Sequence, residues 1–190
     1  MRFAILLACL TSVAFGQEFR LGAKVTDFPL TDSEGKTLRY SELKGQITAV
    51  IFTATRCPVS NAYVERMEQL YRDYTPKGVN ILFVNANATE SLQEVQQHRQ
   101  RMRLPFPMYK DVDNKAADLF GASATPEAYV MDSKGTVRYH GAIDDSQNVA
   151  RIKTRGLADA LNAVLRGSEV MKPETKAFGC TIKRVRSKTN

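Results

Sequence analysis

The hydrophobic pattern of this chain is dominated by two short runs rich in β-branched residues, Ile47 to Phe52 and Val79 to Val84. Neither run alternates between apolar and polar residues, which is typical of strands covered on both faces of a parallel sheet. From Val59 to Tyr74, between the two runs, apolar residues recur every three or four positions, as on one face of an amphipathic helix. The pattern therefore predicts a strand–helix–strand unit, for which a right-handed crossover is the strong rule.

Further elements are predicted on both sides of this unit. A hairpin is expected over Asp27 to Leu38, with its turn at Asp32 to Gly35. A second hairpin is expected to join the strands Glu127 to Met131 and Val137 to His140. Helices are also expected over Leu92 to Met102, Asn114 to Phe120 and Val149 to Leu165. We therefore expect an α/β fold with one central sheet flanked by helices, an N-terminal β-hairpin ahead of the main fold and an extended C-terminal tail.

The composition fits a single globular domain behind a cleaved leader. With 190 residues, of which 43% are hydrophobic and 25% charged, the chain can build a core without disulfide staples. A basic N-terminus, an apolar stretch over residues 3–15 that is too short to span a bilayer, and Gly16 together predict a secretory signal peptide. The expected division is a signal peptide at 1–16, a domain at 17–166 and a basic tail at 167–190.

Cysteine usage suggests an exported protein with a single pair of cysteines. The segment Leu6 to Cys9 resembles a bacterial lipobox, but its apolar run continues past Cys9, so lipidation is the less favoured alternative. Removal of the leader would leave Cys57 and Cys180 in an oxidising compartment, the periplasm or the exterior of a bacterium. Such a pair is either a structural staple or a redox couple.

The positive charge of the chain does not indicate a nucleic-acid partner. The formal net charge is +7, and basic residues concentrate near the C-terminus at Lys183, Arg184, Arg186 and Lys188. A surface for nucleic acid would interleave aromatic residues with the basic ones, and Thr181 to Asn190 contains none. We expect this segment to be a solvated tail.

Cys57 lies where the first buried run meets the start of the predicted helix, with Pro58 in the first helical turn. Unpaired N–H groups and the positive end of the helix dipole favour a thiolate at such a position, and the thiolate is the nucleophile. We therefore predict a reactive Cys57 in preference to an inert buried one. Arg56 could stabilise a thiolate or a peroxide oxygen, or it could be an ordinary solvated loop residue.

The histidines do not point to a metal or to a bound cofactor, and we predict neither. His140 is expected at the active-site edge of the sheet with Asp144 and Asp145 close behind it, but one cysteine and one histidine fall short of a zinc site. A structural histidine is therefore favoured over proton transfer or metal ligation, and the two aspartates are expected to cap the last helix. His98, in a glutamine-rich helical segment, is expected to be exposed.

Three segments carry a resemblance to a known family: Phe28 to Gly35, Phe52 to Pro58 and Ala124 to Asp132. Together with the order of the predicted elements, they make residues 21–165 similar to thioredoxin-fold proteins of the redoxin group. This group includes thiol-specific antioxidant and thioredoxin-like exported proteins. The resemblance implies a thioredoxin-like fold with a central mixed sheet.

For the site, the resemblance implies that Pro126 is cis and that Thr125 and Pro126 flank the Cys57 sulfur. The backbone just before the proline would pair with the extended chain of a substrate, so that Thr125 orients the substrate while Pro126 guards the sulfur. Pro58 would begin the helix that follows the cysteine and would bind the substrate together with Thr125 and Pro126.

Departures from the family leave the reaction open. A dithiol enzyme of this fold carries a second cysteine three residues after the first, whereas here Ser60 stands at that position. Peroxiredoxins place a threonine three residues before the reactive cysteine and a proline four residues before that, where this chain has Ala54 and Val50. Because both motifs are incomplete, the sequence does not decide between thiol–disulfide exchange and peroxide reduction.

The C-terminal tail supplies a candidate partner for Cys57. Gly179 to Lys183 is similar to a Gly-Cys-x-Ile-Lys segment in a subset of exported redoxin-like proteins. Residues 167–179 can span about 40 Å when extended, enough to return from the end of the last helix to Cys57. A Cys57–Cys180 disulfide is therefore geometrically allowed.

We thus predict an exported thiol oxidoreductase in which Cys57 attacks and Cys180 resolves. Its substrate would be a thiol or disulfide protein, or a peroxide, and an unidentified thiol would donate electrons. The alternative is a non-catalytic redoxin-like binding module locked by a structural Cys57–Cys180 bond. We expect no nucleic-acid partner, and no membrane association unless Cys9 is lipidated.

Overall fold

The computed structural model describes residues 21–43 and 45–185, so the expected signal peptide, Cys9, Arg186 and Lys188 lie outside the described residues. The strands are β1 (Pro29–Thr31), β2 (Thr37–Arg39), β3 (Ile47–Thr53), β4 (Val79–Asn85), β5 (Met108–Lys110), β6 (Ala124–Thr125), β7 (Glu127–Met131), β8 (Val137–Gly141) and β9 (Cys180–Thr181). The α-helices are α1 (Pro58–Ala62), α2 (Val64–Tyr74), α3 (Leu92–Arg101), α4 (Lys115–Leu119) and α5 (Gly156–Leu165). In the described ranges, no helix has the length and apolarity needed to cross a membrane.

The central sheet is mixed, as the family resemblance implies. Among the described residues it contains seven strands in the order β2-β1-β5-β4-β3-β7-β8, while β6 and β9 form a separate pair. Strands β3, β4 and β5 are parallel, and antiparallel strands extend the sheet on both sides. Because Phe52 near the end of β3 pairs with Glu127 at the start of β7, both lie at the edge of the sheet that carries the site.

Strand β3 separates two hydrophobic cores. Ala49 and Ile51 belong to the core that includes residues of α2, α3 and α5. Val50 and Phe52 belong to the core on the opposite face, which includes residues of α4 and β1. All four side chains are fully buried, so the unbroken apolar run reflects burial on both faces. Burial of each large side chain contributes about 1.5–3 kcal/mol to stability.

The expected N-terminal hairpin is present, and it extends the main sheet. Its turn is the predicted one, since the Gly35 N–H donates to the Asp32 carbonyl and Gly35 has a φ of 83°. Thr31 of β1 pairs with Lys110 of β5. Without the hairpin, β5 would be an open sheet edge, and pairing covers it.

The helix predicted from Val59 to Tyr74 is broken at Tyr63, which separates α1 from α2. The Tyr63 ring lies in the core, and 1% of the residue is exposed. Its hydroxyl donates to Asp144 at 2.7 Å, and the Arg66 guanidinium lies over the ring. The prediction of one continuous helix was wrong. The pattern within the segment could not show the contact of Tyr63 with the distant Asp144.

The last helix is shorter than predicted. Residues 149–151 form a separate turn of 3₁₀ helix, and the α-helix begins only at Gly156. Asp145 accepts hydrogen bonds from the Lys153 and Thr154 N–H groups at 2.9 and 3.1 Å. These bonds hold residues 152–155, between the 3₁₀ turn and the α-helix, in a non-helical conformation. Asp144 binds Arg66 at 2.8 Å. The two aspartates therefore do not cap the helix, contrary to expectation.

His98 is buried, not exposed, with 4% of its surface accessible. It lies on the inner face of α3 with Val95, so the polar neighbours in the sequence occupy the outer faces of the helix. Burial lowers the pKa of His98, and the nearby Arg101 charge lowers it further. The composition of the segment did not indicate which residue would face inward.

After α5 the tail returns along the outer edge of β8. The His140 N–H donates to the Pro173 carbonyl at 2.9 Å, and the Thr175 N–H donates to the His140 carbonyl at 3.0 Å. Phe178 then packs edge-on against Tyr63, with ring centroids 6.1 Å apart. The predicted return path over the surface is the one observed.

The end of the described tail is docked, whereas the sequence led us to expect a solvated segment. Ile182 is 4% exposed and belongs to the second core. The Val185 N–H donates to the Asn114 side chain at 2.7 Å, and Arg184 forms a salt bridge with Asp118 at 2.8 Å. These partners come from distant parts of the chain, which explains why the local sequence did not predict docking.

Candidate active site

Cys57 occupies the position expected from the sequence, at the N-terminus of α1. It is the N-cap residue, Pro58 begins the helix, and the Ser60 N–H points to the Cys57 sulfur at 3.3 Å. Only 2% of Cys57 is exposed. A sulfur anion formed here would accept this N–H and face the positive end of the peptide dipoles.

The structure contains a disulfide between Cys57 and Cys180, which are 123 positions apart in the chain. Their Cα atoms lie 5.8 Å apart, within the usual range for a disulfide. The Cys57 sulfur also lies 3.3 Å from the Thr125 carbonyl oxygen. The pairing that the sequence left open is therefore present, beside the segment that the resemblance placed there.

The Thr125–Pro126 peptide bond is cis, as the resemblance implies. Just before it, β6 pairs with β9 in antiparallel register, Thr125 opposite Cys180 and Ala124 opposite Thr181. The Thr125 hydroxyl adds a hydrogen bond to the Cys180 carbonyl at 3.3 Å. The tail is thus bound by a strand pair as well as by the disulfide.

Glu127 holds the segment before the cis proline. Its carboxylate accepts hydrogen bonds from the Ser123 and Ala124 N–H groups at 2.7 and 2.8 Å. Burial alone would raise the pKa of Glu127, but the hydrogen bond from His140 and the backbone bonds offset burial and lower the pKa. His140 lies 2.6 Å from the carboxylate and stacks on Tyr129. These contacts give His140 a structural role, the reading favoured from the sequence.

Gly179 allows the tail to approach the cis-proline segment closely. Its φ of 151° lies in a region that side chains rarely adopt, and a Cβ here would overlap the Thr125 carbonyl. Glycine is therefore required both by backbone conformation and by space.

Glu90 supports the loop that leads into Cys57, and sequence analysis missed it. Its buried carboxylate accepts hydrogen bonds from the Thr55 and Arg56 N–H groups at 2.8 and 3.2 Å. Burial alone would raise the pKa of Glu90, but these bonds and one from Asn85 lower it. No local motif links a carboxylate to N–H groups 34 and 35 positions away, so the sequence carried no signal for this contact.

Arg56 directs its guanidinium to Glu94, with which it forms a salt bridge at the surface. The N–H of Ser91 and the Arg56 side chain hold the pKa of Glu94 down at about 2. In the described part of the chain, no hydrogen bond joins the Arg56 guanidinium to the Cys57 sulfur. The structure therefore brings Cys57, Cys180, Pro58, Thr125 and Pro126 together, and places only the backbone of Arg56 beside them.

The residues at the two departures from the family motifs are buried. The Ser60 hydroxyl, at the position of a second dithiol cysteine, accepts a hydrogen bond from the Ala54 N–H at 3.3 Å. Ala54 and Val50 are buried, and neither supplies the hydroxyl or the proline of a peroxiredoxin motif. Within residues 21–43 and 45–185, no three His, Cys, Asp or Glu side chains are grouped as metal ligands would be.

Comparisons with known proteins agree with this geometry. The chain is 29% identical over 185 residues to the thiol-disulfide oxidoreductase ResA of Halalkalibacterium halodurans, covering 92% of this chain and 95% of that protein. A crystal structure of an uncharacterized conserved protein from Geobacillus kaustophilus is similar with a TM-score of 0.81 and 28% identity, covering 90% of this chain and 95% of the other. A hypothetical protein from Sinorhizobium meliloti is similar with a TM-score of 0.79 and 27% identity, covering 90% and 98% of the two chains.

The thioredoxin-like fold predicted from the sequence is confirmed by solved structures of the same fold, and the predicted thiol-dependent oxidoreductase class is confirmed by the family match and by the similarity to ResA. The AhpC/TSA family model matches residues 21–140, more than half of the chain. With its cysteine at the N-terminus of the first helix and its cis proline alongside, the chain belongs to the AhpC/TSA family.

Proposed function

We propose that this protein is an exported thiol–disulfide oxidoreductase in which Cys57 and Cys180 form the redox couple. One observation carries the proposal. The Cys57 sulfur lies at a helix N-terminus and is bonded to a cysteine that is strand-paired with the residue before a cis proline. The similarity to a relative named thiol-disulfide oxidoreductase over 92% of the chain supports the same reaction.

The reaction uses two exchange steps. In the first, the Cys57 thiolate attacks a substrate disulfide, forms a mixed disulfide and releases one substrate thiolate. In the second, the Cys180 thiolate attacks the Cys57 sulfur, forms the Cys57–Cys180 bond and releases the second substrate thiolate. Two electrons pass from the protein to the substrate, and an external thiol donor returns them.

The neighbouring residues have supporting parts in this proposal. Pro58 sets the start of α1, whose N–H groups stabilise the attacking Cys57 thiolate. Pro126 covers the sulfur and Thr125 aligns the incoming chain. Arg56 acts through its N–H, which donates to Glu90, while its guanidinium serves the surface pair with Glu94.

Disulfide exchange is favoured over peroxide reduction because Ala54 offers no hydroxyl to bind a peroxide oxygen and the Arg56 charge is engaged by Glu94. Export is supported by the leader pattern at residues 1–16 and by a cysteine pair suited to an oxidising compartment.

The test compares the reduced wild-type chain with Cys57→Ser and Cys180→Ser. Each protein is reduced with dithiothreitol, freed of reductant and mixed with insulin, and insulin thiols and protein masses are followed with time. Wild type should reduce insulin disulfides and end with a Cys57–Cys180 bond. The Cys180→Ser chain should stop at a mixed disulfide with insulin, and Cys57→Ser should not react.

Two results would overturn the proposal. Rapid oxidation of Cys57 by hydrogen peroxide, with insulin left intact, would assign the site to peroxide reduction. A Cys57–Cys180 disulfide with a reduction potential below about −300 mV, in a protein that does not reduce insulin, would show that the bond is a structural staple of a binding module.

A further inference from the structure

We propose that residues 179–183 are bound as an internal copy of the substrate, and that the groove beside Pro126 selects an extended cystine-containing polypeptide with the pattern Gly-Cys-x-aliphatic. This inference rests on the proposed function, because it describes the substrate of the same cysteine. The tail segment seated in the groove argues for this occupant.

The main chain of the tail makes contacts that any extended polypeptide could make. Beyond the β6–β9 pair, the Ile182 N–H donates to the Ser123 carbonyl at 2.9 Å. At Lys183, the N–H donates to the Asn87 side chain at 2.7 Å and the carbonyl accepts from Ala88 at 2.8 Å. Addition of a strand in this way gives affinity without dependence on side chains.

Specificity comes from two positions, the residue directly before the cysteine and the second residue after it. At the position of Gly179, a Cβ would overlap the Thr125 carbonyl, so only glycine fits before the cysteine. At the position of Ile182, the side chain enters the second core and is 4% exposed. Thr181 between them is exposed, so the intervening residue is free to vary.

The tail and the substrate therefore compete for one groove. While the Cys57–Cys180 bond is closed, the tail cannot leave. After a donor dithiol reduces the bond, a substrate segment can replace the tail and place its disulfide at the Cys57 sulfur. Return of the tail brings Cys180 back to that sulfur, where its thiolate takes over the bond and the substrate departs as a thiolate.

The experiment uses full-length Cys180→Ser, in which Cys57 cannot be resolved and the mixed disulfide accumulates. The probes are three synthetic peptides, each loaded at its cysteine with a thionitrobenzoate leaving group: Phe-Gly-Cys-Thr-Ile-Lys, the same peptide with alanine for glycine, and the same peptide with alanine for isoleucine. Release of the coloured leaving group gives the rate constant. Reaction of the peptides with glutathione serves as the control for intrinsic reactivity.

The first peptide should react at least about tenfold faster than either alanine peptide. Alanine for isoleucine loses an apolar contact in a pocket, for which this is the expected scale, and alanine for glycine adds a Cβ that overlaps the Thr125 carbonyl. Equal rates for all three peptides would overturn the sequence pattern while leaving the proposed function in place. No reaction of any peptide above the rate of Cys57→Ser would instead overturn the proposed function itself.

A second pair of variants tests the competition. Adding Gly179→Ala to Cys180→Ser should exclude the tail from the groove and raise the rate with the first peptide. The matched control adds Gly167→Ala, where the glycine also has a positive φ but a Cβ would contact nothing, and its rate should stay that of the parent. An unchanged or lower rate for the Gly179→Ala chain would show that the tail does not occupy the substrate groove.

Discussion

Replacing Cys180 with serine measures how firmly the tail is held when the disulfide is open. The bond joins residues 123 positions apart, and closing a loop of that length restricts the unfolded chain by about 5 kcal/mol in the chain-entropy treatment. If the tail stays docked without the bond, the bond restricts only the unfolded chain. Oxidised wild type should then be about 5 kcal/mol more stable than Cys180→Ser.

If the tail leaves the groove when the bond is absent, the difference in unfolding free energy between oxidised wild type and Cys180→Ser is smaller. Forming the bond would then also fix a loop of roughly 15 residues beyond α5 in the folded protein, at a cost of about 3 kcal/mol. The expected difference would fall to about 2 kcal/mol. Because Ile182 is buried and the tail is strand-paired to β6, we expect the docked state to dominate and the difference to lie near 5 kcal/mol.

Equilibrium urea unfolding of oxidised wild type, of wild type in dithiothreitol and of Cys180→Ser gives these free energies. Wild type in dithiothreitol should match the variant, which controls for the serine itself. A difference near 2 kcal/mol would show that docking depends on the bond. Less than about 1 kcal/mol between oxidised wild type and the variant would refute the pairing of Cys57 with Cys180.

Three further predictions follow from buried polar contacts. Arg66→Ala leaves the buried carboxylate of Asp144 without its cation and should cost about 3–5 kcal/mol of unfolding free energy; a loss below 1 kcal/mol would contradict this. The folded-state pKa of Glu90 lies below its usual value of 4.5, so its contribution is complete above pH 4.5 and is lost as pH falls further. Glu90→Gln should therefore flatten the acid limb of a stability–pH curve, and an unchanged limb would argue against it. Ser60→Cys should form a bond with Cys57 and free the tail, as peptide mapping after alkylation would show; an unchanged disulfide map would mean that the serine position is out of reach.

The parts of this protein that local sequence determines were predicted correctly. The strands β3 and β4, and the placement of Cys57 at a helix N-terminus, follow from a buried run that ends beside Pro58. The cis bond before Pro126 could be expected only through the family resemblance, since proline by itself is cis in few folded proteins.

The features that were predicted wrongly or missed depend on contacts between distant residues. The break at Tyr63 accompanies a hydrogen bond to Asp144, 81 positions away. Similarly, Glu90 reaches N–H groups more than thirty positions earlier, and Asn87 binds Lys183 across 96 positions. Periodicity shows which face of a segment is apolar but not which residues pack against it. Contacts between distant residues therefore cannot be predicted from one segment alone.

The docked tail also sets the order in which the protein can mature. Cys180 leaves the ribosome 123 residues after Cys57, and Ile182 follows two residues later, yet Ile182 completes the second core and Cys180 closes the bond to Cys57. Domains begin to fold from the N-terminus while synthesis continues. The nascent chain must therefore carry Cys57 without its disulfide partner until residues 180–182 have been made, and a chain truncated before Cys180 would lack both that partner and the buried Ile182 side chain.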